Sequence, residues 1–530
     1  MSEKVRSVLK YLGLAVMSGA WFSFLQPWGK FMDPDAFYHA KMAELMLAHG
    51  TVRAFPWLDL TALGTLFADQ HYAFHVALLP FVKWFGGLLG TQIAAVVFAT
   101  VCILVVYWSL GAIGTTRRWP WMMLALLSAP FVFRLSLGKA SPLAIGWFLI
   151  GMVAILRRKK ALALFAGFGF ALTHGGWSLL LLCQSAYVFG QIVFVRLVLD
   201  RPLKTGFLLS AWRVPLVSAL GVGVGLLIHP DFLQTIAFVW SHVIHIAIST
   251  PINRVDMGQE WLPVELYRLI IGNTVLAIGV LLLVTALIFA HKKRQNIGLI
   301  REIAALAFPV GILIVLTLKS TRFFEYAFPL LVLFLAKASE LIDTDRLKQT
   351  VREQWADLKT QLPKSTVRPL ILFVSLAMVG IVVRDVAGTY VSLRATGRAY
   401  DEFRPATEVI ARLTEPDQRV YHTRWDEFPE LFYWLDRQRY ISGMDPTFLL
   451  LSEPKLAEEN RDLVLKKEAK EISRIIREDF QSRILFSSAR DPKEFWKTLD
   501  ADADIELVYA DPFARVYVIH EESASGVIHR

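Results

Sequence analysis

The chain is 530 residues long, 55% hydrophobic and only 19% charged, with a mean hydropathy of +0.46. That little polar surface cannot cover a water-soluble globule of this length, so a secreted or cytosolic fold is excluded and the chain belongs in lipid. The formal charge of +10 lies in short basic clusters between apolar runs. Such clusters enforce membrane topology rather than build a nucleic-acid groove, and nucleic acid is not among the expected partners.

The chain opens with Lys4, Arg6 and Lys10 ahead of an apolar body. No small-x-small cleavage site precedes Pro27, so residues 11–28 read as a retained first span rather than a removed leader. Further runs of spanning length are 93–113, 207–228, 273–290 and 370–383, and the shorter segments 121–131 and 161–172 add to the count. Basic clusters at 117–118, 157–160, 196–213, 291–301 and 346–368 fall on one side, the cytoplasmic one, together with the N-terminus. The alternation closes with about eleven spans of about 20 residues each. That odd number puts the C-terminal end on the external face of an inner (plasma) membrane. Cys102 and Cys183 are the only cysteines and both sit in apolar runs, which rules out a disulfide framework and a cysteine metal site.

Two external loops are long, 29–90 and 229–267, and long loops between spans usually carry function. Within the first, residues 36–49 suit an amphipathic interfacial helix whose apolar side is Phe37, Met42, Leu45 and Met46. From about residue 400 the apolar runs shorten and charge rises, marking a soluble α/β domain over 400–530. Strands are expected at 419–422, 483–486, 505–509 and 514–519, with helices at 406–413 and 453–476. Asp511-Pro512 is the hairpin turn between the last two strands.

The sharpest local string is Met32-Asp33-Pro34-Asp35-Ala36-Phe37-Tyr38-His39, directly after the first span. Acids at a membrane surface are costly to bury without a use, and two with one residue between them can share a cation or divide base and orienting roles. The bland alternative is that Asp33-Pro34 caps a helix whose first turn Asp35 decorates. Further on, Asp69-Gln70-His71-Tyr72-Ala73-Phe74-His75 has two histidines four apart, a metal-ligand spacing and equally an ordinary structural one. The second loop ends Arg254-Val255-Asp256-Met257-Gly258-Gln259-Glu260-Trp261, and Lys319-Ser320-Thr321-Arg322 precedes a late span. On the charge-derived topology Asp33, Asp35, Asp69, Asp256 and Glu260 share a membrane face with Lys319 and Arg322. This set suits a lipid-linked phosphate donor, with cations or an acid-held metal neutralising phosphate and one carboxylate acting on the acceptor. Snorkelling Arg and Lys beside surface acids is the plain alternative.

These residues resemble the GT-C superfamily of membrane glycosyltransferases, and within it the catalytic subunit of oligosaccharyltransferase. Asp35-Ala36-Phe37-Tyr38-His39 is similar to that family's Asp-Pro-Trp-Tyr-His-like string in its Asp-to-His spacing, and Asp33-Pro34 is similar in its proline. His49-Gly50 and Phe55-Pro56-Trp57-Leu58-Asp59 look like the continuation of that loop. Glu260 stands where the family has Thr-Ile-x-Glu, Arg322 looks like its phosphate-contacting arginine, and Trp425-Asp426 matches part of its Trp-Trp-Asp-Tyr-Gly acceptor motif.

The resemblance implies a GT-C-like transmembrane catalytic domain over 1–390. It also implies transfer of a sugar or oligosaccharide from a polyprenyl-phosphate or polyprenyl-diphosphate carrier to a protein or glycolipid acceptor. It gives Asp35, Asp33 and Glu260 catalytic roles, and assigns carrier and acceptor to Arg322, Lys319, His39, Trp425 and Asp426. A divalent cation, Mg2+ or Mn2+, would be held by Asp35, Asp69, His71, His75 and Glu260. One departure stands out. The family's second Asp-x-Asp motif has no acid in its place, 131–141, so either Asp69 with its histidines substitutes or the reaction needs no metal. A transporter or flippase of lipid-linked sugars is the rival class and predicts broken helices and ionisable groups at mid-membrane. A membrane-anchored binding module is a third, and it leaves the acids of the first loop without a task.

Overall fold

The computed structural model describes residues 2–242, 258–291, 296–395, 397–465 and 472–521. Among them, six helices are long and apolar enough to cross a membrane: Glu3–Leu25, Gly87–Ala112, Trp177–Val198, Thr205–Ile228, Ile297–Lys319 and Ser365–Ala395. A bent pair, Ala129–Ser136 with Ser141–Leu156, raises the number to seven if it counts as one span. Shorter apolar helices, Lys160–Thr173 and Thr274–Ala290 among them, accompany these.

The outer sides of these helices carry large apolar groups. Leu372, Phe373, Leu376, Val379 and Val383 of Ser365–Ala395 all face outward, a surface that only lipid covers stably. The chain is an integral, multi-pass membrane protein. The expected single span over 121–131 is interrupted at Ser128, between helices Arg118–Leu127 and Ala129–Ser136. Ser128 is extended at φ −72° and ψ 104°, and Pro130 sits in the first turn of the helix that follows, where its missing N–H costs no intrahelical bond.

The Cα atoms gather into two compact units. The helical unit comprises Met1–Pro27, Ala95–Leu227 and Pro263–Thr396. In it the pair Ala129–Ser136 and Ser141–Leu156 bends by 117° across residues 137–140. Irregular backbone at such a break needs partners, and the side-chain amide of buried Gln26 donates to the Ser136 carbonyl at 2.8 Å.

The α/β unit comprises Trp28–Ala94, Ile228–Leu262 and Gly397–Arg530. Its strands are β1 (Lys30–Phe31), β2 (Arg398–Ala399), β3 (Arg419–His422), β4 (Arg439–Tyr440), β5 (Ile484–Ser488), β6 (Ile505–Ala510) and β7 (Ala514–Ile519). β1 and β2 form a small antiparallel ribbon, and the other five form one sheet in the order β4-β3-β5-β7-β6. β3 runs parallel to β4 and β5, and β7 runs antiparallel to β5 and β6. All five residues of β5 are buried, as a strand with neighbours on both edges and covered faces requires. β6 lies at the edge, largely exposed, with an irregularity between Leu507 and Tyr509 that blunts it against pairing. The turn before β7 is held by Asp511, whose Oδ1 accepts from the N–H of Phe513 and of Ala514, both at 2.7 Å.

One core runs through all three segments of this unit. Tyr38, Met42, Phe55, Leu58 and Phe67 from the first loop and Phe238 and Trp261 from the second pack with Phe403, Phe428, Phe432, Phe486 and Val516. The helix Asp35–His49 is thus no interfacial helix: Phe37 and Met42 are fully covered, and Tyr38 packs against Phe432 in helix Phe428–Trp434. Asp59 accepts from Arg419 at 2.7 Å and from Arg439 at 3.1 Å, tying the first loop to β3 and β4.

Candidate active site

In the α/β unit the acid string begins where β1 ends. Gln92 braces the approach, accepting from the Gly29 N–H at 3.3 Å and donating to the Lys30 carbonyl at 3.0 Å. Gly29 needs the freedom of its residue type, since its φ is +82°. The N–H of Asp35 then donates to Asp33 Oδ1 at 3.0 Å, and helix Asp35–His49 starts. The two acids therefore divide their tasks. Asp33 supplies a cap that Pro34 cannot, while Asp35 stands half-buried in the first turn, where the helix dipole favours a carboxylate.

One turn later on the same face comes His39, as residues four apart do on a helix. Its Nδ1 lies 2.7 Å from Nε2 of His75, and Nδ1 of His75 lies 2.7 Å from Oδ2 of Asp69. All three side chains are buried, His75 completely. Asp69 is held from three further directions. Its Oδ1 accepts from the His71 N–H at 3.0 Å, and its carbonyl accepts from the Tyr72 N–H at 3.0 Å and from His229 Nε2 at 2.9 Å. Nδ1 of His229 accepts from the Asp231 N–H at 3.1 Å, which fixes the tautomer with the proton on Nε2. Burial alone would raise the Asp69 carboxyl, but the His75 and His71 rings and their N–H groups outweigh it and hold it below the usual carboxylate range.

Glu260 sits in a single turn, Gln259–Trp261, whose Trp261 N–H donates to the Gly258 carbonyl at 2.9 Å. Trp425 lies against the same turn, its ring 3.5 Å from where a Cβ on Gly258 would stand. Asp426 is engaged elsewhere, accepting from Arg398 at 2.8 Å, Arg490 at 2.8 Å and Arg424 at 3.2 Å. Burial pushes its carboxyl up, but these three guanidiniums hold it below the usual range. That ion-pair hub accounts for Asp426 without an acceptor substrate. Asp256, the remaining acid of the second loop, lies outside the described residues.

In the helical unit, Arg322 sits in the turn Thr321–Phe323 between helices Ile297–Lys319 and Phe324–Ser339, with Lys319 exposed at the end of the first. Buried Glu325 follows, and its Oε2 accepts from Arg134 Nη2 at 3.0 Å and Nε at 3.2 Å. Beside this turn a groove of about 300 Å³ is almost wholly apolar, lined by Leu269, Ile270, Leu276, Ile314, Phe324 and Leu331 among others.

No family model and no curated protein matches the sequence. Among solved structures the chain is similar to ArnT from Cupriavidus metallidurans in the apo state, with TM-score 0.54 and 16% identity over 97% of this chain and 98% of that one. It is also similar to the same protein bound to undecaprenyl phosphate, with TM-score 0.52 and 16% identity over 99% of both chains. The chain has the fold of the GT-C membrane glycosyltransferases. A looser likeness, TM-score 0.48 and 13% identity over 90% of this chain and 68% of that one, is to the Archaeoglobus fulgidus oligosaccharyltransferase in complex with Zn and sulfate.

Inside this GT-C fold the missing second acidic motif has a physical counterpart. Residues 131–141 span the 117° break, and their charged groups are Arg134 and Lys139. Two of the residues expected to hold a metal, Asp69 and His75, are already engaged with one another. Both ring nitrogens of His75 are engaged, to Asp69 and to His39, so neither offers a lone pair to a cation, and both carboxylate oxygens of Asp69 already accept hydrogen bonds. His71 is the N-cap of the helix Tyr72–Phe85, and its ring stands 6.3 Å from that of His75 and 5.3 Å from that of His39. Among the described residues no three His, Cys, Asp or Glu side chains gather as a metal would need. His229, Gln26 and Arg134 carry this geometry with no motif to mark them.

Proposed function

We propose that this chain is a glycosyltransferase that moves a sugar or oligosaccharide from a polyprenyl-phosphate or polyprenyl-diphosphate carrier to a protein or glycolipid acceptor. It would act on the external face of an inner (plasma) membrane, with about eleven spans within 1–390, a cytoplasmic N-terminus and the 400–530 segment external. The observation that carries the reading is the end-to-end likeness to ArnT, whose structure holds undecaprenyl phosphate. The acid-headed helix after the first span supports it. So does the apolar groove beside Arg322, which has the chemistry of an isoprenoid tail next to that of its phosphate.

In the reaction, a lone pair of the acceptor attacks the anomeric carbon, and the bond from that carbon to the carrier phosphate breaks with its electrons going to phosphate oxygen. Arg322 and Lys319 neutralise that phosphate. Asp35 orients the acceptor and takes its proton, with Glu260 and Trp425 on the acceptor side. Asp33 acts by holding the turn, and no step is routed through a metal.

The broken span with its buried Arg134–Glu325 pair is the kind of feature that favours a flippase. The two are separated by offering reconstituted vesicles a labelled polyprenyl-linked sugar pool and an acceptor extract. A transferase yields labelled acceptor, and Asp35→Ala lowers the yield by about 10²-fold or more. Labelled carrier crossing the bilayer with no labelled acceptor, equally in both proteins, contradicts the reading.

A further inference from the structure

In the helical unit, the start of helix Glu3–Leu25, the end of Gly87–Ala112 and the start of Arg118–Leu127 border a cavity of about 580 Å³. Three cations line it, Arg6 and Lys10 one turn apart and Arg118 across from them, against the single carboxylate of Glu3. Among the described residues none of these cations forms an ion pair or a side-chain hydrogen bond. Capping of Gly87–Ala112 does not account for Arg118, because the last four carbonyls of that helix already have donors. Ser109 accepts from the Ile113 N–H at 2.9 Å, Leu110 from the Thr115 N–H at 3.0 Å, Gly111 from the Gly114 N–H at 3.0 Å, and Ala112 from Arg157. Arg118 is held in place all the same. Its guanidinium lies over the buried Tyr107 ring, 5.6 Å from the centroid, and occupies the room beside Gly111, where a Cβ would overlap it. A ring face satisfies the charge but accepts from none of the five N–H groups at the guanidinium edge.

We infer that this cavity binds the phosphate of an anionic phospholipid headgroup. A phosphate supplies the acceptors that the fork of Arg118 lacks, and Arg6 and Lys10 in the same cavity complete its neutralisation. Two further observations make the ligand a lipid rather than a free phosphate. Arg6, Lys10, Gly13, Met17 and Phe24 recur at spacings of four, three, four and seven, so they share one face of helix Glu3–Leu25. That face stays open beyond the cations: no described atom lies within 4 Å of where a Cβ on Gly13 would stand, and Met17 and Phe24 are 39% and 56% exposed. An acyl chain running from the headgroup covers such a track, and water does not. Trp119 also lines the cavity while 42% exposed, an amphipathic ring of the kind that sits at headgroup level. On the charge-derived topology this is the cytoplasmic end, whose leaflet carries the anionic lipids that basic residues attract. The inference does not rest on the proposed transfer reaction.

The test uses the full-length protein, delipidated in a neutral detergent and titrated with phosphatidylglycerol or with zwitterionic phosphatidylcholine, the lipid-bound forms being counted by native mass spectrometry. Native protein should bind one phosphatidylglycerol more tightly than any phosphatidylcholine. Arg118→Gln should weaken that binding about fivefold, and Arg6→Gln with Lys10→Gln, at two exposed positions and available should Arg118→Gln fail to fold, about 30-fold. Glycerol 3-phosphate at the lipid's own concentration should leave the complex intact. Displacement by glycerol 3-phosphate would assign the cavity to a soluble phosphate and overturn the lipid site. Equal binding of the two lipids, or phosphatidylglycerol binding unchanged in a folded variant, would overturn it as well, leaving only adsorption to the apolar surface.

Discussion

In the helical unit the best-defined buried charge is a pair, Arg134 with Glu325, whereas the α/β unit buries its charges in chains. There Asp69 continues into His75 and His39, and Asp426 binds three arginines. Helices that face lipid offer a buried charge few partners, because their backbone donors and acceptors are already paired within each helix. Turns and strand ends in the α/β unit supply free N–H groups, as the His71 N–H does for Asp69. A network can then extend over several side chains, as Asp69, His75 and His39 do.

The largest effect should come from breaking the pair. Arg134→Met leaves Glu325 buried and alone, with an expected cost of about 3–5 kcal/mol in unfolding from lipid nanodiscs. Adding Glu325→Leu should recover most of it, and a double variant no better than the single one would show that the two residues are not coupled. In the α/β unit, burial pushes the Glu430 carboxyl up to about 8 against the partial opposition of Arg398. An acid raised above its ordinary 4.5 contributes stability that is full below that value and is lost as the pH climbs to about 8. Thermal unfolding between pH 5 and pH 8, on the order of those limits, should show this unit weakening, and Glu430→Gln should flatten the slope.

A smaller effect separates the two acids of the first string. Asp33→Asn keeps a capping oxygen and should change stability by well under the ~1 kcal/mol typical of a lost cap, with transfer close to native. An Asp33→Asn loss as large as that of Asp35→Ala would return Asp33 to the chemistry. Smallest of all, a chelator should leave the transfer rate unchanged, because Asp69 and His75 are engaged with one another. Inhibition reversed by Mg2+ or Mn2+ would mean that the chain Asp69–His75–His39 opens to take a cation.

Much of this was readable from periodicity, and the exceptions have physical causes. β3 and β7 fall on the residues their alternation predicts, and the Asp511 turn is where proline and aspartate mark it. The first acid string was legible because it stands alone after an apolar run. The four-residue spacing of His71 and His75 does bring their rings to 6.3 Å of one another, but it does not name the ring that His75 bonds. The partner of His75 is instead His39, 36 residues away, and no local spacing can announce a contact made by two helices packing. The apolar side of helix Asp35–His49 was visible, but an apolar stripe does not say whether lipid or protein covers it. Nor did the hydropathy of 121–131 reveal the break at Ser128, since a serine and a proline scarcely lower the mean of an apolar window.

The most direct test of the central claim is the transfer of labelled sugar from a polyprenyl-linked pool by the purified native chain, measured beside Asp35→Asn in the same nanodiscs. The account predicts labelled acceptor from the native protein and a loss of about 10²-fold or more in the variant, with both proteins binding polyprenyl phosphate equally. Equal labelling by the two proteins would remove Asp35 from the chemistry and contradict the account at its centre.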